Sequence, residues 1–274
     1  MKGIFDRDSK DGTEPHELAT VAKILREVRE KVIPYAPVRD YFSGLSLQPA
    51  YNVQDINVTI WTKKYRCVGY KVAFASRLSQ REANLPEPVY GTLLSDMAYA
   101  EGDEIDHAQF CHPKVETELA LVMAQDVTEQ DVTYADVCRA IAFVLPAVEI
   151  VDPRIKNWDI TPIDAVADNA GAAAFVLGGC PRKLENLDLQ NLSASLQIDS
   201  EIVSRSGNAR FIAHPLSTVL WVARRLAQLG QSLKTGDIIM AGALGPPVDI
   251  HPGSRVTATV DGVGTFNFDF ESSS

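Results

Sequence analysis

The sequence contains no long hydrophobic run. None of its apolar stretches reaches the roughly 18 residues that a membrane-spanning helix needs. The opening segment MKGIFDRDSKDG also lacks the apolar centre of a secretory signal peptide. We therefore expect a cytoplasmic protein that has no membrane partner.

Basic residues are also scarce. Lys and Arg number 26 against 36 Asp and Glu, so the formal net charge is −10, and no basic run occurs. Proteins that bind a nucleic-acid backbone usually present a cluster of basic side chains, so we expect no nucleic-acid partner. Hydrophobic residues make up 46% of the chain, which is ordinary for a globular protein with a sizeable core.

Cysteines are few: Cys67, Cys111, Cys138 and Cys180. They are widely spaced and form no C-x-x-C pair, which argues against a disulfide framework and against a zinc site. His107 and His112 do not have the spacing of zinc ligands on a helix. We expect reduced thiols and solvated loop histidines.

Hydrophobic periodicity, in contrast, is clear. It predicts three helices: 15–33, begun by Thr13 or Glu14; 133–145, capped by Thr133 with Asp136 and ended by Pro146; and 215–229, closed by Gly230. Residues 52–62 fit either a helix or a strand.

Short β-prone runs predict strands in the rest of the chain. They lie at 67–75, 114–122, 147–152, 172–179, 193–203 and 236–242, and a hairpin is predicted around Asp261 and Gly262. Strands with interspersed helices favour an α+β protein over a doubly wound one. We expect a helical N-terminal region at 1–65 and a β-rich domain at 66–274.

The strand KVETELALV, residues 114–122, carries an electrostatic anomaly. Glu116 and Glu118 are two residues apart, so in a strand their side chains share a face. Two carboxylates about 7 Å apart repel by roughly 2 kcal/mol at an effective dielectric near 20. Burial would add a desolvation cost.

Glu149 repeats this anomaly in the next predicted strand, AVEIVD. A glutamate among apolar residues is rarely buried unless it is paired or binds a metal. Three carboxylates on neighbouring strands would suit Mg²⁺ or Mn²⁺. The alternative is that Glu116 and Glu118 lie on an exposed edge strand, while Glu149 pairs with Arg154 or Lys71.

A family resemblance favours the metal site. The segments VETELALVMAQDV, LPAVEIVDPRIKNW, DAVADNAGAAAFVLGG and AHPLSTVLWVARRLAQLGQSLKTGDIIMAGALGPPV occur in that order. They resemble the 2-keto-4-pentenoate hydratase / 4-oxalocrotonate decarboxylase family of the fumarylacetoacetate hydrolase superfamily, over roughly residues 66–270. The resemblance implies a fumarylacetoacetase C-terminal-like, largely antiparallel β-roll or barrel with a smaller helical N-terminal part.

The resemblance also implies the roles of individual residues. Glu116, Glu118 and Glu149 would bind Mg²⁺, or Mn²⁺, and Lys71 in GYKVAFAS would be a catalytic group facing the site. A 2-oxo acid would bind the cation through its carboxylate and its 2-oxo oxygen. We expect an apolar setting beside a cation to lower the pKa of Lys71 toward that of a useful proton donor.

Further residues match family segments that border the substrate. In DAVADNA, Asp164, Asp168 and Asn169 are either groups that orient ligands or loop and cap residues. In AGALGPPV, the residues predicted to contact substrate are Gly242, Ala243 and Leu244, together with Gly245, and turn formation is the alternative for the glycines.

Two departures from the family pattern concern the pocket. Hydratases of this family carry an aspartate in E-P-D-[YF]-G, whereas this sequence has Val89 in EPVYG, as the decarboxylases have an aliphatic residue. The usual G-L-T after the lysine is Ala73-Phe74-Ala75. We therefore predict that Val89 and Phe74 belong to an altered substrate pocket.

The expected function is that of a metal-dependent lyase. The first hypothesis is a hydratase that adds water across a C=C bond of a 2-oxo or 2-hydroxydienoic acid, in the catabolism of aromatic compounds. The alternatives are a 4-oxalocrotonate-type decarboxylase, a repurposed tautomerase or biosynthetic enzyme, and a non-catalytic partner subunit. The resemblance implies a homo-oligomer, with association with a related family enzyme as a further expectation.

Overall fold

The computed structural model describes residues 15–42, 46–206 and 213–272. Within these residues the α-helices are α1 (Pro15–Lys31), α2 (Gln48–Trp61), α3 (Arg77–Glu82), α4 (Tyr134–Ala140), α5 (Pro162–Ala167) and α6 (Pro215–Gln228). None of the helices in these ranges is long and apolar enough to cross a membrane.

The strands form two sheets. They are β1 (Cys67–Ala73), β2 (Val89–Leu94), β3 (Ala98–Ala100), β4 (Glu104–Ile105), β5 (Lys114–Met123), β6 (Ile141–Val151), β7 (Ala172–Leu177), β8 (Ala194–Ile198), β9 (Glu201–Ser206), β10 (Ile238–Met240), β11 (Val248–Asp249), β12 (Arg255–Val260) and β13 (Gly264–Phe270).

The larger sheet has the order β2-β1-β10-β5-β6-β7-β3, and β11 pairs with the start of β5. Most neighbours are antiparallel, while the β1–β10 and β3–β7 pairs are parallel. The long strands β5 and β6 lie at its centre, paired from Lys114 with Val151 to Met123 with Ile141. Their central position buries both faces of the two strands.

The smaller sheet has the order β4-β13-β12-β8-β9. Along β13, Phe266, Phe268 and Phe270 alternate with polar residues, so their rings point to one face and are almost fully buried. They pack in one cluster with Val115 and Ile150 of the larger sheet. This packing uses one face of β5 and β6 and leaves the opposite face for other side chains.

The helices cover the larger sheet from outside. The apolar stripe of α1, with Val21, Leu25 and Val28, is buried. Helix α1 packs on α2, and α2 packs on α5. The division into regions 1–65 and 66–274 stays a prediction.

Most of the predicted elements are confirmed. Helices α1 and α6 and the C-terminal hairpin lie where periodicity places them. The ambiguous stretch 52–62 is helical, because α2 extends to Trp61 and Thr62 is its C-cap. The strand predicted over 193–203 is a hairpin of two strands, β8 and β9. The four cysteines are free thiols. Thr13 and Glu14, proposed to begin α1, lie outside the described residues.

The helix predicted over 133–145 is wrong beyond Ala140. Thr133 and Asp136 form the expected capping box, but β6 begins at Ile141 and Pro146 lies inside it, opposite Leu119. The segment IAFVL is rich in β-branched and aromatic residues. Pairing with β5 therefore outweighs its helical periodicity, and proline is accommodated although it cannot donate to the ladder.

Candidate metal centre

The three glutamates meet on one face of the two central strands. Glu116 and Glu118 project from β5, and Glu149 on β6 lies directly opposite Glu116. Glu118 lies opposite Ala147, whose methyl group leaves space beside it. One oxygen from each carboxylate lies within 4.8 Å of the others. The predicted edge-strand alternative is wrong, because β5 lies between β10 and β6.

The electrostatics of this cluster are unfavourable for three free carboxylates. Burial, together with the charge of Glu149, raises the pKa of Glu116 to about 7 against the opposing charge of Lys71. Burial, Glu149 and Glu116 hold the pKa of Glu118 well above its ordinary value, against Lys71 and a hydrogen bond from the Gly242 N–H. The cluster therefore has more negative charge than the surrounding protein compensates.

Glu149 has both carboxylate oxygens buried without a hydrogen bond. Its Oε1 lies 3.0 Å from Nζ of Lys71, and the two groups form an ion pair. Of the two partners considered for Glu149, Lys71 is thus the one found, while Arg154 pairs with Asp168. Buried oxygens with open lone pairs are available to a cation.

This donor set fits a divalent metal ion. Oxygens that share one Mg²⁺, Mn²⁺ or Ca²⁺ ion, at bond lengths of about 2.0–2.6 Å, lie within about 4–5 Å of one another. The three carboxylates satisfy this limit, and a hard cation prefers such oxygens. Glu116, Glu118 and Glu149 would hold the ion, and its charge would remove the repulsion.

Lys71 reaches the cluster from β1 and is almost fully buried. Its Nζ donates a hydrogen bond of 2.9 Å to the carbonyl oxygen of Ala170. Burial lowers the pKa of Lys71, but Glu149, Glu116 and Glu118 outweigh burial and raise it. This direction reflects the glutamates alone, and the lowering expected beside a bound cation stays a prediction.

The loop that supplies the Ala170 carbonyl is held against β2. The side chain of Asn169 accepts from the Thr92 N–H at 2.7 Å and donates to the Thr92 carbonyl at 2.9 Å. Gly91 lies so close to Asn169 that an added Cβ would be 2.2 Å from its carbonyl oxygen. Asn169 therefore orients the acceptor of Lys71.

Asp168 and Asp164 hold neighbouring backbone segments in place by accepting hydrogen bonds from their N–H groups. Asp168 accepts a 2.7 Å hydrogen bond from the Arg154 N–H and pairs with the Arg154 guanidinium. Asp164 is fully buried and accepts from the N–H groups of Val38, Arg39 and Thr161. None of Asp164, Asp168 and Asn169 lines the cavity above the glutamates.

The loop after β10 forms another part of the cavity. The Gly242 N–H donates to Oε2 of Glu118 at 3.0 Å, and Gly242, Ala243, Leu244 and Gly245 all line the cavity. Phe74 lines it as well, with φ of 53°. Their roles in binding substrate stay predictions.

Val89 lies elsewhere. It is the first residue of β2, opposite Ala73 of β1, and is fully buried in the core. It is not among the residues that line the cavity. An aliphatic side chain at this position is therefore accounted for by packing, and its role in the reaction stays a prediction.

Several cavity residues have no signal in the sequence pattern. Leu78 of α3, Trp158 and Ile160 after β6, and Arg205 of β9 all line the cavity. They come from distant segments with ordinary local patterns. In the sequence, an altered cavity was indicated on this side only by Ala73-Phe74-Ala75, which depart from the family pattern.

The chain is similar to known proteins in sequence and in fold. The chain matches the fumarylacetoacetate (FAA) hydrolase C-terminal family over residues 65–271. It is 37% identical to a 2-keto-4-pentenoate hydratase of Burkholderia vietnamiensis over 94% of this chain and 99% of that protein. A 2-keto-4-pentenoate hydratase of Dechloromonas aromatica is 39% identical, over 84% of this chain and 88% of the relative.

A solved structure is similar over nearly the whole chain. It is 4-oxalocrotonate decarboxylase from Pseudomonas putida G7, complexed with magnesium and adipate. The TM-score is 0.87 at 28% identity, over 94% of this chain and 98% of that chain. A similar fold thus occurs in a protein whose solved structure contains a divalent ion.

Proposed function

The chain belongs to the fumarylacetoacetate hydrolase C-terminal family, and on this premise we propose that it is a metal-dependent lyase of the 2-keto-4-pentenoate hydratase type. Its substrate would be a 2-oxo or 2-hydroxydienoic acid, to which it adds water across a C=C bond. Relatives with this name at 35–39% identity support the proposal.

The observation that carries the proposal is the cluster of Glu116, Glu118 and Glu149 with Lys71 in one cavity. A divalent ion held by the glutamates would act as a Lewis acid on the 2-oxo group of the substrate. A substrate carboxylate would be drawn to the same end of the cavity.

Hydration requires that one carbon of the double bond takes a proton and the other takes a hydroxyl group. Lys71 is the cationic proton carrier at the glutamate end, 3.0 Å from Glu149. The Ala170 carbonyl and the Glu149 carboxylate hold its ammonium group in place. A positioned donor of this kind accelerates proton transfer by about 10²–10⁴-fold.

Decarboxylation of a 2-oxo diacid is the second candidate. Val89 supports it through the family pattern, because the decarboxylases have an aliphatic residue where the hydratases have an aspartate. The similarity to 4-oxalocrotonate decarboxylase also supports it. In this reaction the C–C bond to the lost carboxylate breaks, CO2 leaves, and a proton from Lys71 replaces it.

The relatives support proposals for the metal ion, the localisation, the oligomeric state and the metabolic role. Magnesium accompanies one similar structure, and Mn²⁺ accompanies a fumarylpyruvate hydrolase of the same fold, which supports Mg²⁺ or Mn²⁺ here. The family resemblance supports a cytoplasmic homo-oligomer that acts in the catabolism of aromatic compounds.

Two assays on the purified protein separate the candidates. With Mg²⁺ present, a hydratase consumes 2-hydroxypenta-2,4-dienoate, and the loss of the conjugated chromophore is followed by ultraviolet absorbance. A decarboxylase instead releases CO2 from an oxalocrotonate-like diacid. Release of CO2 without hydration would contradict the hydratase proposal.

A further inference from the structure

The cavity at the glutamates is large for a small dienoic acid. Its volume is about 630 Å³. A cavity of roughly 150 Å³ accommodates benzene, and a pentadienoate is only slightly larger than benzene. Once such an acid reached the glutamates, most of the cavity would remain to be filled.

Beyond the glutamates and Lys71, the cavity wall is mainly apolar. Phe74 and Leu78 follow β1, and Leu244 follows the neighbouring strand β10, whereas Trp158 and Ile160 follow β6. Strand β5, with Glu116 and Glu118, lies between these two sets in the sheet. We call Phe74, Leu78 and Leu244 the Phe74 wall. Trp158 and Ile160 form the Trp158 wall.

The backbone of the Phe74 wall is held by hydrogen bonds. The Gln80 side chain donates to the carbonyl oxygens of Phe74 and Ala75 at 2.9 and 3.1 Å. Phe74 has φ of 53°, a conformation uncommon for a bulky residue. These hydrogen bonds therefore hold the backbone that carries the Phe74 ring before any ligand arrives.

The Trp158 wall is held in a similar way. The indole N–H of Trp158 donates to the carbonyl oxygen of His112 at 2.9 Å, and the ammonium group of Lys114 lies 4.7 Å from the ring centre. The ring is half-buried. Preformed walls reduce the ordering cost of binding, so an apolar group between them would bind favourably.

We propose that the substrate carries an apolar chain or ring at the end remote from its 2-oxo carboxylate, and that this group binds between the Phe74 wall and the Trp158 wall. The inference rests on the proposed function, because the glutamates define the end that takes the carboxylate. Each methylene group that becomes fully buried tightens binding by up to about fourfold.

Binding of saturated 2-oxo acids tests the proposal, since they have no double bond to hydrate. Dissociation constants for 2-oxopentanoate and 2-oxooctanoate are measured by titration calorimetry with Mg²⁺-loaded protein. We expect 2-oxooctanoate to bind at least about tenfold more tightly, because its additional methylene groups are buried.

Variants locate the binding site of the chain. Leu78→Ser and Ile160→Ser, one from each wall, should each reduce the ratio of the two dissociation constants by about threefold or more. Leu220→Ser is the matched control, because Leu220 is a half-buried helical leucine outside the cavity; its ratio should equal that of the wild type. Circular dichroism verifies that each variant is folded.

The remaining outcomes overturn the proposal in distinguishable ways. Equal affinities for the two acids would contradict the apolar extension but leave the proposed lyase intact. Tighter binding of 2-oxoadipate than of 2-oxooctanoate would instead indicate that the substrate has a distal carboxylate. Arg205, which lines the cavity, would then bind this carboxylate. If neither 2-oxo acid bound, the proposed function would fail together with the inference.

Discussion

Glu116 and Glu149 lie directly opposite each other across the ladder between β5 and β6, the two central strands of the larger sheet. Like charges in this position destabilise a sheet. Glu118 adds a third carboxylate on the same face, and Lys71 supplies one positive charge. A bound divalent cation would compensate the remaining negative charge of the three carboxylates.

Metal binding should stabilise the protein through this cluster. At a Mg²⁺ concentration about 100 times the dissociation constant, the gain of about 2.7 kcal/mol should raise the unfolding midpoint by about 5–10 °C. Glu118→Gln should abolish this rise and weaken Mg²⁺ binding at least about 100-fold. Calorimetry measures both effects.

Glu104→Gln is the control for the metal prediction. Glu104 is an exposed strand glutamate remote from the cluster, so its substitution should leave the Mg²⁺-dependent rise unchanged. If Mg²⁺ raised the unfolding midpoint of Glu118→Gln as much as that of the wild type, the assignment of the metal ligands would be contradicted.

Lys71→Met should remove catalysis and spare metal binding. Loss of the proton carrier should lower kcat by about 10²–10⁴-fold, while the three carboxylates still bind Mg²⁺ within about tenfold of the wild-type affinity. Lys183→Met is the control, because Lys183 also donates to a backbone carbonyl, that of Ala142 at 3.0 Å, but is exposed. A variant at Lys71 with nearly full activity would exclude its catalytic role.

Gly242→Ala should damage the cavity loop. A Cβ at Gly242 would lie 2.7 Å from Cβ of Ala75, and φ is +104°, so the loop must move and its N–H must leave Glu118. We expect a loss of stability of about 3 kcal/mol and weaker Mg²⁺ binding, both measured by thermal unfolding with and without Mg²⁺.

Two further variants separate the clash from the backbone strain. Gly236→Ala has a similar positive φ but nothing within 4 Å of the added Cβ, so it should cost only about 1 kcal/mol. Ala75→Gly should rescue Gly242→Ala in part, because it removes the atom in contact. Equal losses for the two glycine variants would rule out the clash.

Asp164→Asn should destabilise the protein in a pH-dependent way. Burial raises the pKa of Asp164, but hydrogen bonds from Thr161 and Arg39 together outweigh burial and lower it. Ionised Asp164 therefore stabilises the fold fully above the pKa of an unfolded aspartate, about 4. This contribution is lost as the pH falls through the lower pKa of the folded state.

The expected loss at pH 7 is about 3 kcal/mol, and the difference from the wild type should shrink below about pH 4. Urea unfolding across this range measures it. Asp159→Asn is the matched control, because Asp159 pairs with the same Arg39 but its side chain is 61% exposed; its effect should stay below about 1 kcal/mol. If Asp164→Asn lowered the free energy of unfolding by the same amount at every pH, the stabilising role of the ionised Asp164 carboxylate would be contradicted.

Local patterns predicted helices α1 and α6 and the C-terminal hairpin correctly, because apolar periodicity and turn residues act within one element. They failed at 141–145, where helical spacing and β-prone residues compete. There the partner strand β5 decided the outcome, with Ile141 opposite Met123 and Val144 opposite Leu121.

Some features of the candidate site are likewise visible in the local sequence, and others depend on tertiary contacts. The two-residue spacing of Glu116 and Glu118 and the apolar setting of Glu149 are visible in the sequence, since each is a charge out of place in its own strand. The register that puts Glu149 opposite Glu116, the Lys71 ion pair and the joining of Leu78, Trp158 and Ile160 into one cavity depend on contacts between distant segments. Local pattern carries no information about such contacts, so the sequence alone determined the unusual carboxylates, and tertiary structure decided what surrounds them.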